Sequence, residues 1–386
     1  MKNAVMIGAG QIGRGFIGML LEQAGYHVIF SDINRAVIDD INNRHEYTVH
    51  LVDSDSVETK VSNISGIYSD SPDLINAYTH CELICTSVGL TAFPAIAPAI
   101  ATGIELRMLE GNQNTLNIIA CENGIRATSK LKNLVYERLD GITKIFADQY
   151  IGFPDCAVDR IIPPVYNLAP AEVVVERYHE WDVEKAGFKG LIPEIPGMNI
   201  VDDLMSYVER KLFTLNGPNA VTGCLGFMKG YKTVKEALED REIYNVVWGM
   251  MEECGRMLIM RHGFSNNEML QYRTELMKRF LNPYIIDSVT RVAREPIRKL
   301  SPDDRIVAPM RYAHEYNIPT PNYYIGIASM LLYENADDAQ SMKLQQMIKI
   351  NGIKDVLRTL CNIQGQVSDR VESEYYRLKT KYKGAE

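Results

Sequence analysis

One stretch near the N-terminus constrains the fold of this chain more than any other. The apolar run 3–7 is followed at once by the glycine-rich sequence Gly8-Ala-Gly10-Gln-Ile-Gly13. An amphipathic pattern then continues to about Gln23, a second apolar run covers Tyr26–Phe30, and Asp32 comes shortly after it. Strand, glycine turn, helix, strand and acid in this order are typical of a dinucleotide-binding βαβ unit, although a glycine-rich turn also occurs in other α/β proteins.

The three glycines have different predicted tasks. Gly8 permits a tight turn, Gly10 lets the backbone approach a pyrophosphate, and Gly13 lets the helix pack on the strand. The N-terminus of the helix adds N–H groups and a positive dipole end for the phosphates. The predicted cofactor loop consists of Gly8, Ala9, Gly10, Gln11, Ile12 and Gly13.

Two further segments complete the predicted cofactor site. Asp32 is placed to accept hydrogen bonds from the adenosine ribose, and its charge would repel a 2′-phosphate, which favours NAD over NADP. Arg35 is a cation close to that position and leaves NADP open as an alternative. A third buried strand begins near Cys81 and ends in Ser87-Val88-Gly89, small residues that belong beside a bound cofactor.

Other apolar runs extend the first domain. Leu116–Cys121 is predicted to be a strand that leads to Asn123, whose carboxamide would enter the ligand crevice, although Asn before a glycine is also typical of a turn. Asp159 follows another apolar run, and Val173–Trp181 has the pattern of one more strand. A Gly/Pro-rich stretch, 187–197, marks the boundary, so we expect domains at 1–193 and 194–386.

The second half of the chain has a helical pattern throughout. The expected fold class is therefore α/β, a Rossmann-type doubly wound sheet domain followed by an all-helical C-terminal domain. The predicted helices cover 201–229 (broken near Gly217-Pro218), 233–261, 265–280, 284–294, 303–316, 321–334, 336–349, 351–361 and 366–382.

The first of these helices carries unusual polar residues. Lys211, Asn216 and Asn219 lie within an otherwise apolar run. A lysine is costly in such a run unless it is solvated or used, and lysine can act as a general base because burial lowers its pKa. Each asparagine can donate to an oxygen that develops charge. A helix cap at Asn216 and a lysine whose ammonium reaches solvent are the alternatives.

A basic segment between two predicted helices is a candidate anion pocket. Five cations fall within 15 residues that also contain two prolines. A solvated basic loop is the alternative, and most charge runs are of that kind. The cations are Arg291, Arg294, Arg298, Lys299 and Arg305.

Composition and charge limit the partners. The chain has 386 residues and a net charge of −8, which argues against a nucleic-acid or anionic-membrane binder. Its seven Cys and seven His show neither zinc-ligand spacing nor an H-E-x-x-H motif, so no metal is expected. With no long apolar span or leader expected, the cytoplasm is the predicted location.

Several segments together resemble the polyol-specific long-chain dehydrogenases, the mannitol dehydrogenase family, over nearly the whole chain. Lys211 and Asn216 match the K-x4-N pair of that family, and 151–163 matches its signature. Five stretches resemble the branch that acts on mannitol 1-phosphate: Ile12–Gly18, Asn117–Asn123, Phe188–Gly190, Glu209–Asn216 and Arg298–Ser301.

The resemblance implies metal-independent hydride transfer between NAD and a polyol, namely oxidation of mannitol 1-phosphate to fructose 6-phosphate. Lys211 would be the general base and Asn216 would stabilise the alkoxide. Asn219 stands where the family usually has His and cannot become a cation near neutral pH. The implied substrate contacts are Asn123, Asp159, Arg291, Arg294, Arg298, Lys299 and Arg305.

Two other functions remain open from the sequence. One is a hexonate oxidoreductase of the altronate/tagaturonate type, since that substrate is also anionic. The other is a catalytically weak dinucleotide-binding paralogue, suggested by Asn219. In each case the expected partner is a small molecule, and the resemblance favours a monomer or a weak homodimer.

Overall fold

The computed structural model describes residues 2–53, 55–163 and 168–383. The chain forms two compact units, Met1–Tyr207 and Val208–Glu386. The domain boundary expected at residues 193/194 remains a prediction.

The described part of the first unit is built on strands. These are β1 (Asn3–Ile7), β2 (His27–Asp32), β3 (Tyr47–Val52), β4 (Ser56–Val61), β5 (Ile64–Tyr68), β6 (Leu83–Thr86), β7 (Leu116–Ala120), β8 (Ile151–Gly152), β9 (Cys156–Asp159), β10 (Val173–Glu176), β11 (Glu180–Glu184) and β12 (Met198–Val201).

Six of these strands form one parallel sheet in the order β5-β2-β1-β6-β7-β8. This is the strand order of a Rossmann fold, as predicted. Ile7 at the end of β1 pairs with Ser31 of β2 and with Thr86 of β6. The register therefore brings the turns after these three strands to the same edge of the sheet.

The two faces of the central sheet carry separate cores, as the alternation of side chains along β1 shows. Ala4 and Met6 belong to one apolar cluster, whereas Val5 and Ile7 belong to the other. All four side chains are at most 2% exposed. Burial on both faces explains why the strands are apolar runs rather than alternating sequences.

Two smaller sheets, β10-β3-β4 and β12-β11-β9, complete the first unit. They correct one prediction, because Val173–Trp181 is not a single strand. Val173–Glu176 pairs in parallel with β3, whereas Glu180–Glu184 pairs with β9 and β12. The chain changes sheets at 177–179, and the apolar pattern on either side did not reveal the turn.

The helices of the first unit cover the central sheet. They are α1 (Met19–Gln23), α2 (Arg35–Arg44), α3 (Asp73–His80), α4 (Phe93–Leu109), α5 (Ala127–Tyr136) and α6 (Gly141–Tyr150). Gly13–Gly18 precedes α1 as a wider π-helical segment, and Leu90–Ala92 and Lys185–Gly187 are short 3₁₀ turns.

Helix α4 belongs to an apolar core. Among the described residues, Leu90–Leu109 is the helical run long and apolar enough to cross a membrane by length and composition. Within it, Phe93 and Ile104 pack in the cluster on one face of the sheet. Arg107 is 1% exposed and donates to the carbonyls of Thr79 (2.8 Å) and Cys81 (2.9 Å). These contacts are those of a core helix.

The rest of the described chain is helical, which confirms the predicted class. The helices are α7 (Leu204–Arg210), α8 (Gly217–Met228), α9 (Val234–Glu239), α10 (Arg241–His262), α11 (Asn266–Phe280), α12 (Val289–Ala293), α13 (Pro296–Lys299), α14 (Val307–Glu315), α15 (Pro321–Leu332), α16 (Ala339–Asn351), α17 (Ile353–Thr359) and α18 (Gly365–Lys383). Capping boxes, Thr233 with Glu236 and Ser265 with Glu268, start α9 and α11.

Candidate active site

The turn after β1 is tight and depends on glycine. Gly8 has φ +96° and donates its N–H to the Ser31 carbonyl at 2.7 Å. A Cβ on Gly8 would lie 2.6 Å from the carbonyl oxygen of Ser87. Both the left-handed backbone and the close contact therefore require glycine at this position.

The next two glycines face different surroundings. A Cβ on Gly10 would meet no atom within 4 Å, so that side of the loop is open. A Cβ on Gly13 would lie 2.0 Å from the Gly8 carbonyl oxygen. Gln11 is exposed and Ile12 half-buried, and both lie in the first turn of the helix. The loop is thus an open cradle held by a close-packed backbone, which fits the pyrophosphate of a dinucleotide.

Asp32 closes the cradle from the neighbouring strand. One carboxylate oxygen accepts the N–H of Ala9 at 2.6 Å, and the other accepts the N–H of Asn34 at 2.8 Å. Each oxygen has a second lone pair, so the half-buried carboxylate can still accept ribose hydroxyls. Arg35 is engaged elsewhere, 2.7 Å from Asp70 and 4.3 Å from the centre of the Tyr68 ring.

The turn after β6 is held by a carboxylate that the sequence did not single out. Glu122, at 7% exposure, accepts the backbone N–H groups of Val88 (2.8 Å) and Gly89 (3.0 Å). Ser87 donates its hydroxyl to the Gly8 carbonyl at 3.2 Å. The predicted segment Ser87-Val88-Gly89 therefore lies against the glycine turn. A lone Glu after a strand gives no signal for such a role.

Asn123 and Asp159 occupy different settings. Asn123 is exposed after β7, whereas Asp159 is 7% exposed and ends β9, where its backbone pairs with Glu180. The next residue, Arg160, donates to the carbonyl of Gly15 at 2.9 Å and lies over the Phe16 ring. Burial lowers the pKa of Arg160 to about 10. The sequence did not single out Arg160, whose contacts support the helical segment that follows the glycine turn.

The helix that carries Lys211 is wider than predicted but not broken. Lys211–Asn216 forms a π-helical segment between α7 and α8, and the N–H of Gly217 donates to the Leu212 carbonyl, five residues back. Pro218 has no N–H, and its ring crowds the carbonyl four residues before it, which an ordinary α-turn would bring too close. The expected break near Gly217-Pro218 is therefore wrong, because the helix widens instead.

The widened segment has a polar side and an apolar side. Lys211, Asn216 and Asn219 are half-buried, whereas the segment's other side is almost completely buried. The Oδ1 atom of Asn219 is buried without a hydrogen-bond partner in the described structure. A buried acceptor of this kind is costly unless a ligand or water donates to it.

The basic segment packs against this helix. A Cβ on Gly217 would lie 2.5 Å from the Arg305 carbonyl oxygen, and one on Gly223 would lie 2.6 Å from that of Val289. The absence of side chains at the two glycines thus allows the backbone between α12 and α14 to approach α8. The segment that contains the five cations therefore packs on helix α8, which follows the widened turn.

Three of the five predicted cations have carboxylate partners. Arg291 forms a two-pronged ion pair with Asp287, and that hydrogen bond raises the pKa of Arg291. Arg298 pairs with Glu295 at 2.8 Å, and Arg305 with Asp304 at 2.6 Å. Much of the positive charge that the sequence suggested is therefore neutralised locally.

The other two cations differ in exposure. Lys299 is 4% exposed and donates to the Val292 carbonyl at 2.5 Å, and burial lowers its pKa to about 8. Arg294 is exposed and, with Arg291, lines an open cleft whose other charged residues are the carboxylates Glu295, Asp337 and Asp338. Of the five, Arg294 is the cation best placed to meet an anion from solvent.

Among residues 2–53, 55–163 and 168–383, no three His, Cys, Asp or Glu side chains are grouped so as to hold a metal ion.

Two solved structures share the fold. Pseudomonas fluorescens mannitol 2-dehydrogenase, in ternary complex with NAD and D-mannitol, matches with TM-score 0.69 at 17% identity over 99% of this chain and 92% of that one. A substrate-free D-sorbitol dehydrogenase matches with TM-score 0.82 at 16% identity over 99% and 93%. At such identities, the likeness shows the fold alone.

Sequence comparison with protein families is more specific. Residues 2–197 match the mannitol dehydrogenase Rossmann domain, and residues 203–370 match the mannitol dehydrogenase C-terminal domain. The two matches cover nearly the whole chain, and they confirm the predicted resemblance at the family level. The chain belongs to the mannitol dehydrogenase family.

Proposed function

We propose that this protein is an NAD-dependent polyol dehydrogenase that interconverts mannitol 1-phosphate and fructose 6-phosphate. The observation that carries the proposal is the placement of Lys211 and Asn216 on one widened helical turn. Family membership supports the polyol dehydrogenase activity. The choice of a phosphorylated substrate rests on the resemblance to the mannitol 1-phosphate branch and on the adjacent basic segment.

The chemistry is assigned to three side chains. The Lys211 amine takes the proton from the alcohol during oxidation and returns it during reduction. The Asn216 carboxamide donates to the same oxygen and stabilises its developing charge. The Oδ1 atom of Asn219, buried and without a partner in the described structure, accepts a hydrogen bond from a neighbouring substrate hydroxyl.

NAD is the proposed cofactor, and when bound it would supply the acceptor for the hydride that leaves the polyol carbon. The open side of Gly10 receives the pyrophosphate, and the Asp32 carboxylate receives the ribose hydroxyls. Ser87-Val88-Gly89, fixed by Glu122, forms the wall beside it. In the first unit, Asn123 and Asp159 are proposed to support the substrate.

The phosphate is assigned to the open cleft in the second unit. Arg294 is exposed there, and Arg291, which pairs with Asp287, lines the same cleft. The carboxylates Glu295, Asp337 and Asp338 also line it, so the proposal relies on direct contact with Arg294 rather than on net positive charge. A phosphate dianion favours charge-assisted donors of this kind. Arg298 and Arg305 shape the segment through their ion pairs, and Lys299 supports it from the interior.

A hexonate substrate is the second candidate, since a carboxylate could also bind Arg294 in this cleft. A single panel separates the two. The protein is mixed with NADH and either fructose 6-phosphate, tagaturonate or unphosphorylated fructose, and NADH oxidation is followed by absorbance. We expect fructose 6-phosphate to have the highest kcat/KM. Faster reduction of tagaturonate would favour the hexonate assignment. If free fructose is reduced as efficiently as fructose 6-phosphate, the proposal of a phosphorylated substrate is wrong.

A weak dinucleotide-binding paralogue is disfavoured because Lys211 and Asn216 are both present. If none of the three sugars is reduced while NADH still binds, that alternative gains support. Cofactor binding measured by fluorescence therefore accompanies the panel.

We also propose a cytoplasmic location and a monomeric or weakly dimeric state. All seven cysteines are buried and free, which suits a reducing compartment. Light scattering over a range of protein concentrations would test the oligomeric state.

A further inference from the structure

Thr214, in the middle of the widened segment, bonds to a different helix, unlike five other helical threonines of this protein. Threonines inside helices commonly donate to the carbonyl four residues earlier. Five do so here, over distances of 2.7–3.2 Å: Thr79, Thr102, Thr222, Thr274 and Thr359. The Thr214 hydroxyl instead lies 3.4 Å from the sulfur of Cys254 in α10.

Both partners of this contact are completely buried, at 0% exposure. Burial raises the pKa of the Cys254 thiol to about 12, so the contact joins two neutral groups near pH 7. Thr214 is three residues after Lys211 and two before Asn216. The Cys254 thiol therefore contacts the buried side of the widened turn. The other side of the same turn carries Lys211 and Asn216, the two proposed functional residues.

Cys254 is itself well fixed. The preceding residue, Glu253, is 4% exposed and caps the first turn of α15. Its carboxylate accepts both N–H groups of Asn322, at 3.1 Å from the backbone and 2.6 Å from the side chain, and the Tyr323 N–H at 3.3 Å. Gly249, one turn earlier, leaves the space that Asn322 needs. Helices α10 and α15 thus form a rigid base behind the thiol.

We propose that the Thr214–Cys254 contact is a positioning device for the proposed dehydrogenase reaction, on which this inference rests. A widened turn can relax toward an ordinary α-turn, and relaxation would rotate Lys211 relative to Asn216. The contact with Cys254 opposes that rotation from the buried side. Neither residue touches the substrate, and both act through the geometry of the turn.

The test compares Thr214→Val with Thr222→Val. Both threonines are fully buried in the same helical run, but Thr222 bonds only its own helix, to Pro218. We expect Thr214→Val to lower kcat by about ten-fold and to shift the pH dependence of kcat, with KM for NADH unchanged, because small misplacement of a reacting group is costly. Thr214→Ser should restore the wild-type profile. Equal effects of the two valine variants would overturn the proposal.

Two additions keep the test decisive. Cys254→Ala removes the contact from the other side, with the equally buried Cys361→Ala as its control, in case Thr214→Val does not fold. The acetylation rate of the Lys211 amine by acetic anhydride, followed by peptide mass spectrometry, requires no sugar substrate. A changed rate in Thr214→Val and Cys254→Ala, but not in the controls, would support positioning even if the sugar panel fails. An unchanged rate in both variants would contradict it.

Discussion

The protein has a π-helical segment in each of its two units, and the two are built in opposite ways. Gly13–Gly18 is buried at every position and contains three glycines. Neighbouring side chains pack directly against its backbone. A Cβ on Gly15 would lie 2.6 Å from Val175, and one on Gly18 would lie 2.5 Å from Phe30. Lys211–Asn216 instead keeps three residues half-buried and presents an amine and a carboxamide.

The comparison shows that the same π-helical widening serves two different purposes in this protein. In the first segment, close packing requires the absence of side chains, and the buried backbone supports the open glycine loop that precedes it. In the second, the wider turn carries polar side chains at its two ends, Lys211 and Asn216, and its buried side packs in the core. Substitutions should therefore disturb folding in the first segment and chemistry in the second.

The largest expected effect is that of Lys211→Ala. Removing the proposed base should lower kcat by ~10²–10⁴-fold, whereas NADH affinity and the melting temperature should change little. Lys235→Ala, in an exposed pair with Glu239, is the control and should retain full activity. If Lys211→Ala keeps more than about a tenth of the activity, the side chain is an ordinary partly buried lysine.

The glycine turn gives the next largest effect. Gly13→Ala places a Cβ 2.0 Å from the Gly8 carbonyl oxygen, and we expect a loss of about 3 kcal/mol in the free energy of unfolding. Gly10→Ala meets no atom within 4 Å and should leave stability intact while it blocks NADH binding. Urea unfolding and NADH fluorescence titration measure the two outcomes. Equal stability of both variants would contradict the packing role of Gly13.

The contrast also shows what the sequence could predict. The βαβ unit around the first segment could be predicted from the order strand, glycines, helix, strand and acid. Each glycine there is required by a particular backbone conformation or a close contact. The helical class of the second unit follows from its periodicity and from capping residues such as Ser265 and Glu268. Both depend on interactions between residues that are close in sequence.

Long-range pairings were not predictable in the same way. The bonds from Val88 and Gly89 to Glu122 join residues more than 30 positions apart. The burial of Lys299 likewise depends on tertiary packing, which a count of cations in the sequence does not reveal. The widening at Lys211 results from a proline whose effect, a break or a π-turn, is decided by what packs around it.

The preference between NADH and NADPH tests the role of Asp32, the acid that contacts the glycine loop. The Asp32 charge should make NADH preferred over NADPH by ten-fold or more in kcat/KM, about 1.4 kcal/mol. Asp32→Asn keeps an acceptor for the Ala9 N–H but removes the charge, so the preference should shrink. Arg35→Ala should change it little, because that guanidinium already pairs with Asp70. Equal use of both cofactors by the wild type would refute the assignment.

The smallest expected effect is that of Lys299, the buried cation of the basic segment in the second unit. Its amine donates to the Val292 carbonyl, and burial lowers its pKa to about 8 from an unfolded value of about 10.4. Between these two pH values the unfolded chain binds more protons than the folded one, so this residue's contribution to stability rises with pH. Below pH 8 the buried charge is a cost.

Lys299→Met should therefore be more stable than the wild type at pH 7, by about 1 kcal/mol, because an apolar side chain of similar length replaces a buried charge. The difference should narrow as the pH rises through 8 toward 10.4, since the wild-type amine then becomes neutral in both states. Urea unfolding of the two proteins from pH 6 to 10 measures this gap. A stability difference that stays constant with pH would mean that ionisation of the Lys299 amine does not cause it.

In the same Lys299→Met variant, KM for fructose 6-phosphate should rise less than in Arg294→Ala, because Arg294 faces the open cleft and Lys299 faces the core.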